Sequence, residues 1–142
     1  MRIEDQTIYS WLDCVTEQCS EIDEVWLIGS RANNSVRADS DWDFIAFGSE
    51  ETISYLRNRQ ELHRDDVDLL VVYDGNHFRK PWGDQEKAGS LADWRWQLVA
   101  EGQAQYEGVK WRDAEDGAGF ICSERLAIRV MKRGLVRCYV AD

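Results

Sequence analysis

The apolar residues in the first half of the chain recur with two periods, one typical of helices and the other of strands. Residues 5–20 carry an apolar stripe at helical spacing, formed by Ile8, Trp11, Leu12 and Val15. Short apolar runs predict three buried strands, namely EVWLIG (24–29), DWDFIAFG (41–48) and DVDLLVVY (66–73). Residues 49–62 open with Ser49, a suitable N-cap, and predict a second amphipathic helix.

This order of elements predicts the fold class. Helix, strand, loop, strand, helix and strand in succession favour an α/β (α+β) fold, in which helices flank a mixed central sheet. A chain of 142 residues is long enough to bury one proper core, so we expect a single domain over residues 1–142.

The second half of the chain has weaker patterns. Residues 74–90 are polar and contain the only proline, which predicts a functional or mobile loop. Residues 93–111 alternate around Glu101-Gly102 and predict two strands joined by a turn, with Trp94 and Trp96 favoured as core residues over a stacking or partner surface. Residues 123–134 fit either a capped helix or a strand, and residues 135–140 predict a final strand.

Charge and composition narrow the function classes. The net charge is −10, with 27 acidic against 17 basic residues, which disfavours a nucleic-acid partner and leaves room for a divalent cation. No apolar run of about 18 residues and no signal peptide is visible, so we expect a cytoplasmic protein without membrane contact. The four cysteines lack a C-x-x-C pair, which favours free thiols over a zinc site.

Acidic residues occupy unusual positions on two predicted strands. Asp41 and Asp43 are two apart and therefore project to one face, where like charges repel unless a cation lies between them. Asp68 precedes the apolar run LLVVY, where a carboxylate is expensive to bury. If the two strands are neighbours, Asp68 can reach the other pair, and three carboxylates around one or two divalent ions can hold a nucleoside triphosphate and activate an attacking hydroxyl. Asp66 is the substitute candidate on the same strand.

Gly29 and Ser30 complete a recognisable motif. Glycine at a strand end lets a ligand approach the backbone, and the following N–H groups and the serine hydroxyl can meet phosphate oxygens. Ten residues separate Ser30 from Asp41-Trp42-Asp43. The stretch resembles the G-S-x10-D-x-D signature of the DNA polymerase β-like nucleotidyltransferase superfamily, in its minimal nucleotidyltransferase branch. Asp68 matches that family's third carboxylate, and the resemblance covers roughly residues 1–75.

The resemblance implies a function. Members of the superfamily transfer a nucleoside monophosphate from a nucleoside triphosphate to a hydroxyl and use Mg²⁺. It implies that Asp41, Asp43 and Asp68 are catalytic and bind the metal, that Gly29 and Ser30 bind the nucleotide, and that AMP is moved from ATP. Members of the minimal branch resemble antitoxins that modify a partner with a HEPN-type RNase domain. Aminoglycoside or RNA acceptors, or a non-catalytic nucleotide- or partner-binding module, are the alternatives.

Two histidines and two arginines receive no role in this scheme. His63 and His77 are isolated in the sequence and are not predicted as catalytic bases. Arg31 and Arg37 are suited to bind a triphosphate, but the sequence favours ordinary solvated side chains at least as strongly.

Overall fold

A computed structural model of the chain describes residues 3–29, 32, 41–82, 88–107 and 124–133. Its α-helices are α1 (Ile3–Gln18) and α2 (Glu50–Arg57), and a turn of 3₁₀-helix (Gln60–Leu62) follows α2. Its strands are β1 (Glu24–Ile28), β2 (Trp42–Phe47), β3 (Val67–Val72), β4 (His77–Arg79), β5 (Ala88–Ser90), β6 (Gln97–Ala100), β7 (Gln103–Glu107) and β8 (Glu124–Lys132). None of the helices in these ranges is long and apolar enough to cross a membrane.

All of these strands belong to one curled sheet. Their order across it is β5-β4-β3-β2-β1-β8-β7-β6. Strands β2 and β3 run parallel, and the other neighbouring strands pair antiparallel. The predicted α/β (α+β) fold with helices flanking a mixed sheet is therefore wrong, because the described residues form mostly sheet, with eight strands and only two α-helices.

The reason lies in how the two faces of the sheet are covered. Side chains alternate along β2, so Phe44 and Ala46 lie in a core with α1 and α2, while Ile45 lies in a second core on the opposite face. Aromatic residues of the segment 91–96 cover that second face: Trp94 is only 7% exposed and packs beside Tyr106 with ring centroids 5.5 Å apart. Among the described residues, the curl of the sheet and these rings bury the second face, and both α-helices pack on the first.

Most elements of the first half are confirmed. Helix α1 and strands β1, β2 and β3 lie within two residues of their predicted bounds. Ser49 is the N-cap of α2, since its hydroxyl accepts a hydrogen bond from the Thr52 N–H and the Thr52 hydroxyl accepts one from the Ser49 N–H.

The second half contains strands that the sequence did not predict and decides one open alternative. Within residues 74–90, predicted as a functional or mobile loop, a turn at Asp74, Gly75 and Asn76 sends the chain back along β3 as β4, and β5 pairs beyond it. Residues 124–132 form a strand, so the strand alternative is the right one and the helix is wrong. Strands β6 and β7 around Glu101-Gly102 are confirmed; Trp94 is buried in the second core as predicted, and Trp96 is partly buried against it. The strand predicted at 135–140 lies outside the described residues.

Candidate functional site

Three strand ends meet at one edge of the sheet. Strand β1 runs antiparallel to β2 and ends there, so Ile28 pairs with Asp43 and Gly29 follows at the same edge. Strands β2 and β3 run parallel and both begin there, with Asp43 directly beside Asp68. The prediction that Asp68 lies next to the Asp41/Asp43 pair is therefore confirmed in its geometry.

Gly29 lies against the Asp43 carboxylate. Its φ is +76°, in the left-handed region that favours glycine, and a Cβ placed on Gly29 would lie 2.2 Å from Asp43 Oδ2. The Gly29 N–H donates a hydrogen bond of 3.0 Å to the hydroxyl of Tyr106. Glycine is needed here because of the backbone conformation and because the carboxylate packs directly on its Cα.

The environment of Asp43 disfavours its charged form. The pKa of Asp43 is raised to about 7, first by burial and then by the neighbouring Asp68 and Asp41 carboxylates, while Lys80 and Arg125 oppose the change. Within the described ranges, no cationic side chain is within ion-pair distance of Asp43. A carboxylate of this kind is a candidate for proton transfer or for neutralisation by a bound cation.

Asp68 has a different environment. Its Oδ1 lies 2.8 Å from Nζ of Lys80, and the Asp68 side chain is 42% exposed against 18% for Lys80. Strands β3 and β4 form a hairpin, and Lys80 directly follows β4. The hairpin therefore brings the Lys80 ammonium group to the Asp68 carboxylate.

A cleft opens beside Asp68. It encloses about 220 Å³, and its polar and aromatic lining includes Asp41, His63, Asp65, Asp68, Lys80 and Trp82. The Trp82 indole donates to the Leu56 carbonyl at 2.7 Å, and its ring centroid lies 5.5 Å from that of His63. His63 is isolated in the sequence, but the fold places it in the same cleft as two of the predicted aspartates.

The remaining predicted residues divide into three cases. Asp41 is exposed, lines the cleft, and is close enough to Asp43 to affect its pKa. Asp66, the substitute for Asp68, is instead held by Arg64 through two hydrogen bonds of 2.8 Å. Ser30 lies outside the described residues, as do Arg31 and Arg37. Asp68, which pairs with Asp43 and lines the cleft, is therefore a better third carboxylate than Asp66.

Tyr106 links the strand ends from the second face of the sheet. Its hydroxyl accepts from the Gly29 N–H, and its β7 position pairs with Arg125 of β8. Burial raises the pKa of Tyr106, and hydrogen bonds from Gly29 and Arg125 oppose that change. Tyr106 thus fixes the backbone turn that lies against Asp43, and it also occupies the Gly29 N–H.

The carboxylates are suited in their chemistry to Mg²⁺. Among the residues that the structure describes, no three His, Cys, Asp or Glu side chains form a ready-made metal group. Mg²⁺, however, is commonly held by one or two carboxylates together with substrate phosphates and waters. Asp43 and Asp68 supply two carboxylates side by side as oxygen ligands, and a cation there would offset the burial and the carboxylate repulsion that raise the pKa of Asp43. The donor set fits a site that a nucleotide completes.

Three residues of this region were not found from the sequence: Lys80, His63 and Tyr106. The turn signal DGN after β3 is the usable clue for Lys80, because a hairpin at that point must return residues 77–80 along the carboxylate-bearing strand. His63 and Tyr106 have no comparable local clue, since their positions depend on pairings with distant parts of the chain.

Comparisons with known proteins add no relatives to this geometry. No protein-family model matches the chain, and neither a curated protein nor a solved structure matches it.

Proposed function

We propose that this protein is a cytoplasmic, Mg²⁺-dependent nucleotidyltransferase that transfers a nucleoside monophosphate, AMP from ATP, to a hydroxyl acceptor. The observation that carries the proposal is the pairing of Asp43 with Asp68 on adjacent parallel strands, with Gly29 packed against the first carboxylate. The match of Gly29, Ser30, Asp41 and Asp43 to the nucleotidyltransferase signature supports it. The proposal rests on these residues and not on the overall fold.

The environments of the two carboxylates suggest different roles. Asp43 is packed on Gly29 and pairs with Asp68, which suits a ligand for the cation. Asp68 is half-exposed in the cleft, where it can share the cation with Asp43 and take the proton of an acceptor that enters the cleft. When bound, Mg²⁺ would supply charge neutralisation for the triphosphate.

The reaction itself is a substitution at phosphorus. The acceptor oxygen forms a bond to the α-phosphorus, and the bond from that phosphorus to the oxygen bridging to the β-phosphate breaks. Pyrophosphate leaves with the bonding electron pair, and the acceptor proton passes to the Asp68 carboxylate. A side chain on a partner with a HEPN-type domain is the acceptor that the resemblance favours.

The second candidate is a nucleotide-binding module without catalysis. The Lys80–Asp68 ion pair favours it, because Lys80 already neutralises one of the two carboxylates. The two candidates differ in whether the carboxylates are needed for turnover or only for binding.

The test measures binding and transfer separately. Wild-type protein is incubated with α-labelled ATP, Mg²⁺ and candidate acceptors, and labelled product and pyrophosphate are quantified; water is the acceptor in their absence. We expect Asp68→Asn to keep most of its ATP affinity and to lose turnover, because its contribution is made mainly in the transition state. Asp43→Asn is expected to lose both.

Asp66→Asn is the matched control. It makes the same chemical change two residues away, on a carboxylate that contacts Arg64. We expect it to stay active. ATP binding that survives in all variants, with no pyrophosphate from the wild type, would establish the non-catalytic module instead.

A further inference from the structure

Among the residues that the structure describes, Lys80 is the one cationic side chain within ion-pair distance of Asp43 or Asp68. Its Nζ is 2.8 Å from Asp68 Oδ1, and its side chain is only 18% exposed. An ammonium group that is mostly removed from water needs a negative partner, because its desolvation is otherwise uncompensated. In this state the partner is Asp68.

This contact conflicts with metal binding at the same carboxylate. A divalent cation on Asp68 would bring two positive groups to one carboxylate, and like charges at such short range strongly disfavour each other. The cation therefore weakens the contact between Lys80 and Asp68 and favours transfer of Lys80 to another anion within reach of the cleft. Asp41 and Asp65 also line the cleft, but a triphosphate carries more negative charge than either side chain.

We propose that Lys80 exchanges partners, from Asp68 in the free protein to a phosphate group of the bound nucleoside triphosphate. This inference rests on the proposed function and deepens it, since it identifies Lys80 as a phosphate-binding residue. It also makes the divalent cation and the nucleotide depend on each other: the cation displaces Lys80 from Asp68, and the triphosphate accepts it.

The size of the cleft agrees with this assignment. About 220 Å³ is less than the roughly 300–1,000 Å³ of a pocket that encloses a whole small-molecule ligand. Within the part of the chain that the structure describes, this space suits part of a nucleotide, and the ammonium group of Lys80 favours the phosphates for that part.

The test uses Lys80→Met, which keeps the length of the side chain and removes its charge. Binding of Mn²⁺ alone is measured by electron paramagnetic resonance, and binding of ATP with Mg²⁺ is measured by calorimetry with the non-transferable analogue α,β-methylene-ATP. We expect the two affinities to change in opposite directions, Mn²⁺ binding about tenfold tighter and nucleotide about tenfold weaker, within the usual range of coupling between sites. Lys80→Arg is expected to restore most of the nucleotide affinity.

Lys132→Met is the control, since it removes the same charge from β8, where position 132 pairs with Glu24 far from the cleft along the sheet. It should leave both affinities within about twofold, as expected for a screened, distant charge. A misfolded Lys80→Met protein would weaken both ligands, and an unchanged Mn²⁺ affinity or an unchanged nucleotide affinity would overturn the inference. If the wild type binds neither ligand, it is the proposed function that fails.

Discussion

The two ends of strand β2 contrast in what they do for the protein. From Phe44 onward, the side chains of β2 alternate between two closed apolar cores, and Phe44 and Ile45 are fully buried. At the start of β2, one residue earlier, Asp43 is placed beside Asp68 and against Gly29. The same strand therefore stabilises the fold over most of its length, whereas the Asp43 carboxylate near its start destabilises it.

This difference indicates where function resides. Apolar burial stabilises at roughly 25 cal/mol per Å², so the cores need no explanation beyond folding. A partly desolvated carboxylate beside another carboxylate destabilises the free protein, and such an arrangement is typical of functional sites. The contrast predicts that removal of a core side chain and removal of the Asp43 charge change stability with opposite signs.

The largest effect is expected in the helix-covered core. Phe44→Ala removes a ring that stacks on Trp42 and Trp11, with centroids 6.3 Å and 6.2 Å away. The cavity left behind should lower the free energy of unfolding by about 3–5 kcal/mol. Urea denaturation followed by tryptophan fluorescence measures this, with Phe44→Leu as the conservative control at under about 1.5 kcal/mol. A loss below about 1 kcal/mol for Phe44→Ala would mean that this core is loosely packed.

An intermediate effect is expected where the backbone meets the carboxylate. Gly29→Ala introduces a Cβ at 2.2 Å from Asp43 Oδ2. It also places a non-glycine residue in the left-handed backbone region, which is strained. Together these should lower the free energy of unfolding by about 2–3 kcal/mol and weaken ATP binding, because Asp43 must move.

Gly75→Ala separates the two causes. Gly75 has a similar φ of +87°, but no atom lies within 4 Å of its added Cβ. It should therefore lose only about 1 kcal/mol, from backbone strain alone. Equal losses at the two glycines would show that the contact between Gly29 and Asp43 has no energetic consequence.

Local patterns explain what could be predicted from the sequence. Strands β1, β2 and β3 are short apolar runs with clear ends, and Ser49 is followed by a helical stripe, so these elements need no distant information. The two-residue period places Asp41 and Asp43 on one face of β2, but their closeness to Asp68 depended on the assumption that β2 and β3 are neighbours, which the parallel pairing confirms. The roles of these aspartates and of Gly29 remain predictions.

Non-local pairing explains what could not be predicted. Strand β8 joins the sheet beside β1, about a hundred residues earlier in the chain, and its residues Leu126, Ile128 and Val130 fit a strand while Leu126, Val130 and Met131 fit a helix. Strands β4 and β5 have three residues each, too few for any period to be visible. The fold class was wrong because these strands, and not additional helices, extend the sheet.

The smallest effect on stability, and the one of opposite sign, is expected at Asp43 itself. In the metal-free protein, the raised pKa of about 7 means that the folded state holds a proton that the unfolded state has already released above pH 4 or so. Stability should therefore fall as the pH rises from about 4 to 7 and then level off. Asp43→Asn removes this dependence. The difference between the folded and unfolded pKa values limits the gain in the free energy of unfolding above pH 7 to about 4 kcal/mol, and solvent at the sheet edge reduces it to about 2 kcal/mol.

Urea denaturation in EDTA at pH 5 and pH 8 measures the gain, with Asp66→Asn as the control that should show none. A variant less stable than the wild type at pH 8 would mean that Asp43 makes a stabilising contact in the free protein, and the contrast between the two ends of β2 would then be lost.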